Sequence, residues 1–136
     1  MTAPLIARAA LVVAAVAAAV VLLAWQRSED SCTDSVKAMF FALRDRVPEP
    51  QLAATVAPIP DDCPGSSRLV DAGAVLFQEG HPAPAAELLR EAVEREPDSF
   101  SAWAGLASVL READPAGSAA AAARARALNP LYRPPS

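Results

Sequence analysis

Cys32 and Cys63 are the chain's two thiols, and His81 is its one imidazole. Those three side chains are too few and too scattered for a metal pattern, so no metal site is expected. A dithiol catalyst keeps its sulfurs close in sequence, whereas these stand 31 positions apart. Lipid attachment is not expected either, because "SEDSC" lacks a small apolar lead-in. The best use of such an isolated pair is a disulfide. It would close a loop of about 32 residues and contribute on the order of 3–4 kcal/mol in the chain-entropy model. Two separate buried thiols are the alternative. His81 precedes Pro82 in what reads as a turn between helices, with no second catalytic group beside it. Glu87, Glu91, Glu94 and Glu96 share their stretch with Arg90 and Arg95, a pattern of local ion pairs on a solvated face. There is no glycine-rich phosphate loop and no nucleophile signature. The expectation is a protein that is not an enzyme and takes no cofactor.

The chain that must position these residues is made of two materials. Residues 1–27 carry only Arg8 and Arg27 as charges, and Ala9 to Trp25 is an unbroken apolar run of 17 residues. At about 1.5 Å per residue that is about 25 Å of helix, the short end of what spans a bilayer. Arg8 can snorkel to the headgroups, bringing Leu5 and Ile6 into the span, and Trp25 suits the opposite interface. The rival reading is a cleaved signal peptide. Its apolar core is normally shorter and ends in small residues, whereas the exit here is "VLLAWQR". A retained single-pass anchor over residues 1–27 is the expectation. Arg8 and Arg27 flank it almost evenly, so the positive-inside rule gives little orientation. The cysteine pair gives more: a disulfide beyond the span places the C-terminal part on an oxidising, extracytoplasmic side, as in a bacterial envelope.

Beyond residue 27 there are ten basic against 16 acidic residues. Without a basic stripe to neutralise phosphates, nucleic acid is excluded as a partner class. Residues 28–65 divide into a helix and a connector. From Ser31 to Val47, the residues Val36, Met39, Phe40, Leu43 and Val47 recur at helical spacing on one face. From Pro48 to Ser67 there are five prolines, which predicts a stiff connector with at most one short turn near Gln51 to Val56.

Residues 66–130 repeat. Leu69, Ala72, Gly73 and Leu76 match Trp103, Leu106, Ala107 and Leu110 at an offset of 34. Ala85, Leu89, Ala92 and Pro97 match Ser118, Ala122, Ala125 and Pro130 at an offset of 33. The turn inside the second unit is therefore one residue shorter. Self-similarity at this period predicts stacked helical hairpins, with units at 66–97 and 100–130 and a tail at 131–136. Gly80 should close one helix and the next should open near Pro84; Asp98 and Asp114 should cap the helices that follow them, with Pro115 in the first turn. Gly73 and Ala107 fall where two helices must approach closely. Two units are few for such an array, so the Cys32–Val47 helix is expected to cover its N-terminal end.

These eight positions, taken twice, resemble the tetratricopeptide repeat, with leucine in place of the usual aromatic at Leu76 and Leu110. The resemblance implies an all-α fold: an N-terminal transmembrane helix followed by a short hairpin solenoid. It also implies that the first helix of each unit faces a groove for a peptide or partner helix. Carried over by position, the groove residues are Val70, Ala74, Phe77, Gln78, Ala104, Ser108, Arg111 and Glu112. The function so implied is a membrane-anchored adaptor that binds a protein or peptide. The alternative is a structural subunit of an envelope complex that associates with copies of itself.

Overall fold

Between Pro4 and Pro48 the chain contains neither proline nor glycine, and nothing in it stops a helix once begun. The computed structural model describes residues 3–134, with side chains for residues 10–27 and 29–134, and is all-helical in those residues. The helices are α1 (Ala3–Arg44), α2 (Glu49–Val56), α3 (Ile59–Asp62), α4 (Ser66–Gln78), α5 (Pro82–Arg95), α6 (Phe100–Leu110) and α7 (Pro115–Leu128). α1 runs through position 27 without a break, so the boundary expected there is a change of surface and not of element. Its apolar side chains from Leu11 to Trp25 are exposed. Among the described residues it is the one helix long and apolar enough to cross a membrane. Arg8, Leu5 and Ile6, expected at the headgroup end of that stretch, lie outside the described side chains.

Past the apolar stretch α1 turns one face inward. Cys32, Met39 and Ala42 are buried, with Val36, Leu43 and Val47 packed against them. Phe40, expected on this face, is 49 % exposed. The helix ends when Arg46 adopts φ 51°. The Arg46 amide then donates to the Leu43 carbonyl and the Val47 amide to the Ala42 carbonyl, each at 3.1 Å. This is the two-bond helix stop that usually uses glycine. α4 ends the same way at Gly80, φ 87°, with His81 donating to Leu76 at 2.8 Å.

The proline-rich stretch is more ordered than its composition predicts. Pro48 and Pro58 precede α2 and α3, and Pro50 and Pro60 occupy their first turns. Those are the helical positions whose amides have no internal partner, so proline costs nothing there. α2 and α3 fold back on α1, burying Leu52, Val56 and Ile59. The Cys32 and Cys63 sulfurs are bonded, with their Cα atoms 4.6 Å apart. Ser31 and Ser35 of α1 both donate to Asp62 beside the bond.

α4 and α5 form one antiparallel hairpin and α6 and α7 a second, and α5 also packs on α6. Leu69, Ala72, Leu76, Ala85, Leu89 and Ala92 are each no more than 2 % exposed. Their counterparts Leu106, Ala107, Leu110, Ala122 and Ala125 are also buried. Trp103 is only half-buried. Its indole N–H donates to the Pro97 carbonyl at 2.8 Å, and Arg124 reaches the same oxygen at 3.2 Å. The turn at Pro97 is thus held from both helices of the following hairpin. Ser118, standing where the first hairpin has Ala85, donates to the Ala107 carbonyl at 2.6 Å.

The helix starts agree with the sequence reading at two of three places. Asp114 accepts from the Gly117 amide at 2.9 Å, with Pro115 in the first turn of α7. Asp98 does not cap α6, whose N-cap is Ser99, because the turn after Pro97 runs one residue further. α5 begins at Pro82, close to Pro84 as expected, with a proline well placed at the first helical position.

The charge pattern places Arg95 on a solvated face, but in the structure it is a strut. It donates to the Cys63 carbonyl at 2.6 Å, to the Pro60 carbonyl at 2.7 Å and to Glu91 at 2.8 Å. It ties the end of α5 to the free carbonyls at the end of α3. Arg95→Met, which keeps the stem and removes the donors, is expected to cost about 1.5–3 kcal/mol in urea unfolding, the range for hydrogen bonds to a charged group. A change below about 0.5 kcal/mol would mean water replaces the guanidinium freely.

Candidate functional site

Glycine and alanine decide how near α4, α5 and α6 can come. A Cβ added at Gly73 would lie 3.0 Å from Leu89 and 3.3 Å from the Ala85 carbonyl. One added at Gly105 would also lie 3.0 Å from Leu89. Leu89 therefore fills a slot with one missing side chain on each side, and the close approach opens a trough between α4 and α6.

Two cavities occupy that trough. One, of about 210 Å³, lies between Val70, Ala74, Phe77 and Gln78 of α4 and Ser101, Gly105, Ser108 and Val109 of α6, with Leu89 beneath. The other, of about 500 Å³, lies nearer the helix ends, between Phe77, Gly80 and Pro82 on one side and Ser108, Val109, Arg111, Glu112 and Ala113 on the other. They share Phe77, Ser108 and Val109, so they are neighbouring parts of one depression. Its floor is apolar. Phe77 stands between the two parts with 41 % of its surface exposed. Gln78, Ser101, Arg111 and Glu112 supply polar groups at the edges, and the Ser108 hydroxyl is already spent on the Ala104 carbonyl at 3.1 Å.

Of the sequence-derived groove residues, the structure brings Val70, Ala74, Phe77, Gln78, Ser108, Arg111 and Glu112 to this depression. Ala104 lines neither part. Ala104 stands one turn before Ser108 on α6, and the residues of that helix that line the part beside α4 are Ser101, Gly105, Ser108 and Val109. The sequence reading misses Gly105 and Val109. A signal for Gly105 is present: it is the one glycine inside α6, and a glycine kept within a helical pattern usually has a packing reason.

A further hairpin also escapes the sequence reading. At an offset of 33, Leu52, Val56, Ile59 and Pro64 stand where Ala85, Leu89, Ala92 and Pro97 stand. Val36, Met39, Phe40 and Leu43 likewise correspond to Leu69, Ala72, Gly73 and Leu76. The outer half of α1 with α2 and α3 therefore flanks α4 on the side opposite α6. A smaller cavity of about 150 Å³, lined by Val36, Phe40, Arg68, Asp71, Ala72 and Val75, separates α1 from α4. Phe40 in the place of a glycine keeps these two helices apart.

His81 sits in the turn between α4 and α5 and lines neither part of the trough, although its neighbours Gly80 and Pro82 do. Its Nδ1 lies 3.1 Å from a carboxylate oxygen of Glu49 at the start of α2, so it links the α1–α3 hairpin to the α4–α5 hairpin. The perturbed carboxyl among the described residues is also remote. A side-chain hydrogen bond from Arg44 holds Asp45 below its ordinary value, and burial opposes this slightly.

A tetratricopeptide repeat family model matches residues 67–109. That match covers the α4–α5 hairpin and nearly all of α6, the elements that enclose the trough. No curated protein matches the chain. Tetratricopeptide repeats are typically protein–protein interaction modules and not catalytic, which is what the match suggests here.

Proposed function

We propose that this chain is a single-pass, membrane-anchored adaptor whose α4–α6 trough receives a peptide or helix of a partner protein on the extracytoplasmic side. The observation that carries the reading is Phe77, a large apolar side chain left 41 % exposed between two adjoining apolar cavities. An aromatic in such a setting offers contact area at little cost in side-chain entropy and is a common anchor of binding energy. The exposed apolar stretch of α1 supports the anchor. The Cys32–Cys63 bond supports an oxidising compartment.

Photo-crosslinking in intact cells tests this. Benzoylphenylalanine replacing Phe77 is expected to give a discrete adduct in the membrane fraction, and the same probe replacing Glu87, exposed on α5, is expected to give none. Ser108→Arg, which fills the trough, should abolish the Phe77 adduct. Equal yields at the two sites would sink the proposal. An adduct of twice the chain's mass would instead assign the trough to a second copy, the self-associating alternative.

A further inference from the structure

We propose that the rim of the repeat stack nearest the anchor makes a second contact with the bilayer, through Leu131 and Arg133 of the C-terminal tail. This rests on the reading of α1 as a membrane span. The chain's own contacts set the level of each element. The Cys32–Cys63 bond brings the start of α4 level with Cys32. At the other end, His81 meets Glu49 at 3.1 Å, and Glu79 and His81 share a cavity with Arg46 and Val47. So α4 runs alongside the outer half of α1, in the same direction. α5 returns, because Arg95 at its end reaches the Cys63 carbonyl. α6 rises again to share a cavity with Gly80 and Pro82. α7 descends until Arg124 meets the Pro97 carbonyl at 3.2 Å. Tyr132 then packs edge-on against Phe100 with ring centres 5.3 Å apart.

The tail therefore emerges at the level of Cys32, which is seven residues beyond Trp25, or about 10 Å of helix. An interfacial zone several ångströms deep lies outside the hydrocarbon, and Trp25 belongs in it. Leu131 is 86 % exposed, and Arg133 follows it two residues later. The same end of the stack carries Arg124 and Arg126 together with the acids Glu94, Glu96 and Asp98 beside Pro97, and Glu29, Asp30, Asp61 and Asp62 cluster around α1. What bears on the bilayer is the tail tip, where Arg133 stands beside Leu131: a cation next to an exposed alkyl group, the pairing a headgroup layer takes up. A single leucine binds membranes poorly from solution. Tethered two hairpins away from a helix already in the bilayer, it works at the high effective concentration of an intramolecular contact.

The test uses the full chain in vesicles of phosphatidylcholine and phosphatidylglycerol. The described residues include no free cysteine, so an added one takes a fluorescent label specifically. Labels at Leu131→Cys, Glu112→Cys and Val16→Cys are read by quenching from lipids carrying a nitroxide in the headgroup or deep in the acyl chain. Headgroup quenching at position 131 is expected to exceed that at position 112, on the opposite rim, at least twofold. Position 16 is expected to be quenched by the deep probe. Arg133→Cys repeats the measurement should the Leu131 variant misfold. If position 16 is quenched and 131 and 133 match 112, the second contact is overturned and the span stands. If position 16 is not quenched, the span reading falls and the inference with it.

Discussion

Leu89→Ala is expected to lower the unfolding free energy by about 2–5 kcal/mol, in the upper part of that range, measured by urea titration of the full chain in detergent. Leu89 is 1 % exposed, so the lost transfer energy is that of a fully buried side chain. The cavity term then depends on how far the surroundings collapse. Here they have little to collapse with. The residues pressed against Leu89 are Gly73 on α4 and Gly105 on α6, and neither has a side chain to swing into the space. Shrinking the cavity requires moving whole helices, which the packed Leu69, Leu76 and Leu106 resist. The variant should also close or distort the trough above it, since Leu89 forms its base. A loss of less than about 1 kcal/mol would show that the three helices do close on each other, and that the glycines are not spaced by this leucine.

Replacing both bridge residues, Cys32→Ser with Cys63→Ser, is expected to cost about 3–4 kcal/mol from loop entropy alone. For a domain of about 100 residues that is a fall of more than about 10 °C in thermal midpoint. The effect follows from the lengths of the elements bridged. α2 has eight residues and α3 four, both far below what sustains a helix unaided. Their order depends on being held to α1, by the bond, by Ser31 and Ser35 on Asp62, and by Arg95 on the α3 carbonyls. Both serines would also leave hydroxyls in positions 5 % and 0 % exposed. A midpoint unchanged within about 2 °C would place the holding energy of this hairpin elsewhere.

The parts of the molecule that can be read in the sequence are those where one residue has one structural reason. Gly80 must take a left-handed turn, Asp114 must meet an unpaired amide, and Leu69, Leu76 and Leu89 recur where hairpins bury their faces. The family match over residues 67–109 covers the last of these positions. Of the hairpin at 31–62 the first helix and the turn near Gln51 to Val56 are legible, and the helical return through α2 and α3 is hidden for a physical reason. Proline reads as a helix breaker, yet Pro48, Pro50, Pro58 and Pro60 all fall at helix starts, where its missing amide is harmless. Phe40 in place of Gly73, and Leu52 and Ile59 in place of alanines, also hide the shared period. In the trough, position in the repeat indicates which face of α4 and α6 to consider. It does not resolve Ala104 from Gly105, neighbours about 100° apart on a helix, because only the close approach at Leu89 fixes that rotation. Arg95 escapes notice because its partners are main-chain carbonyls of a segment expected to be irregular.

α1 has no joint between its apolar stretch and the bridged hairpin. Trp25 and Arg44 are 19 positions apart, a stiff lever of about 28 Å. Single spans lean by about 20° on average, to a degree set by bilayer thickness; pivoting at Trp25, such a lean would sweep the far end of α1 sideways by about 10 Å. Lipid thickness would therefore be felt as aim: the same trough would point in different directions in thin and thick membranes.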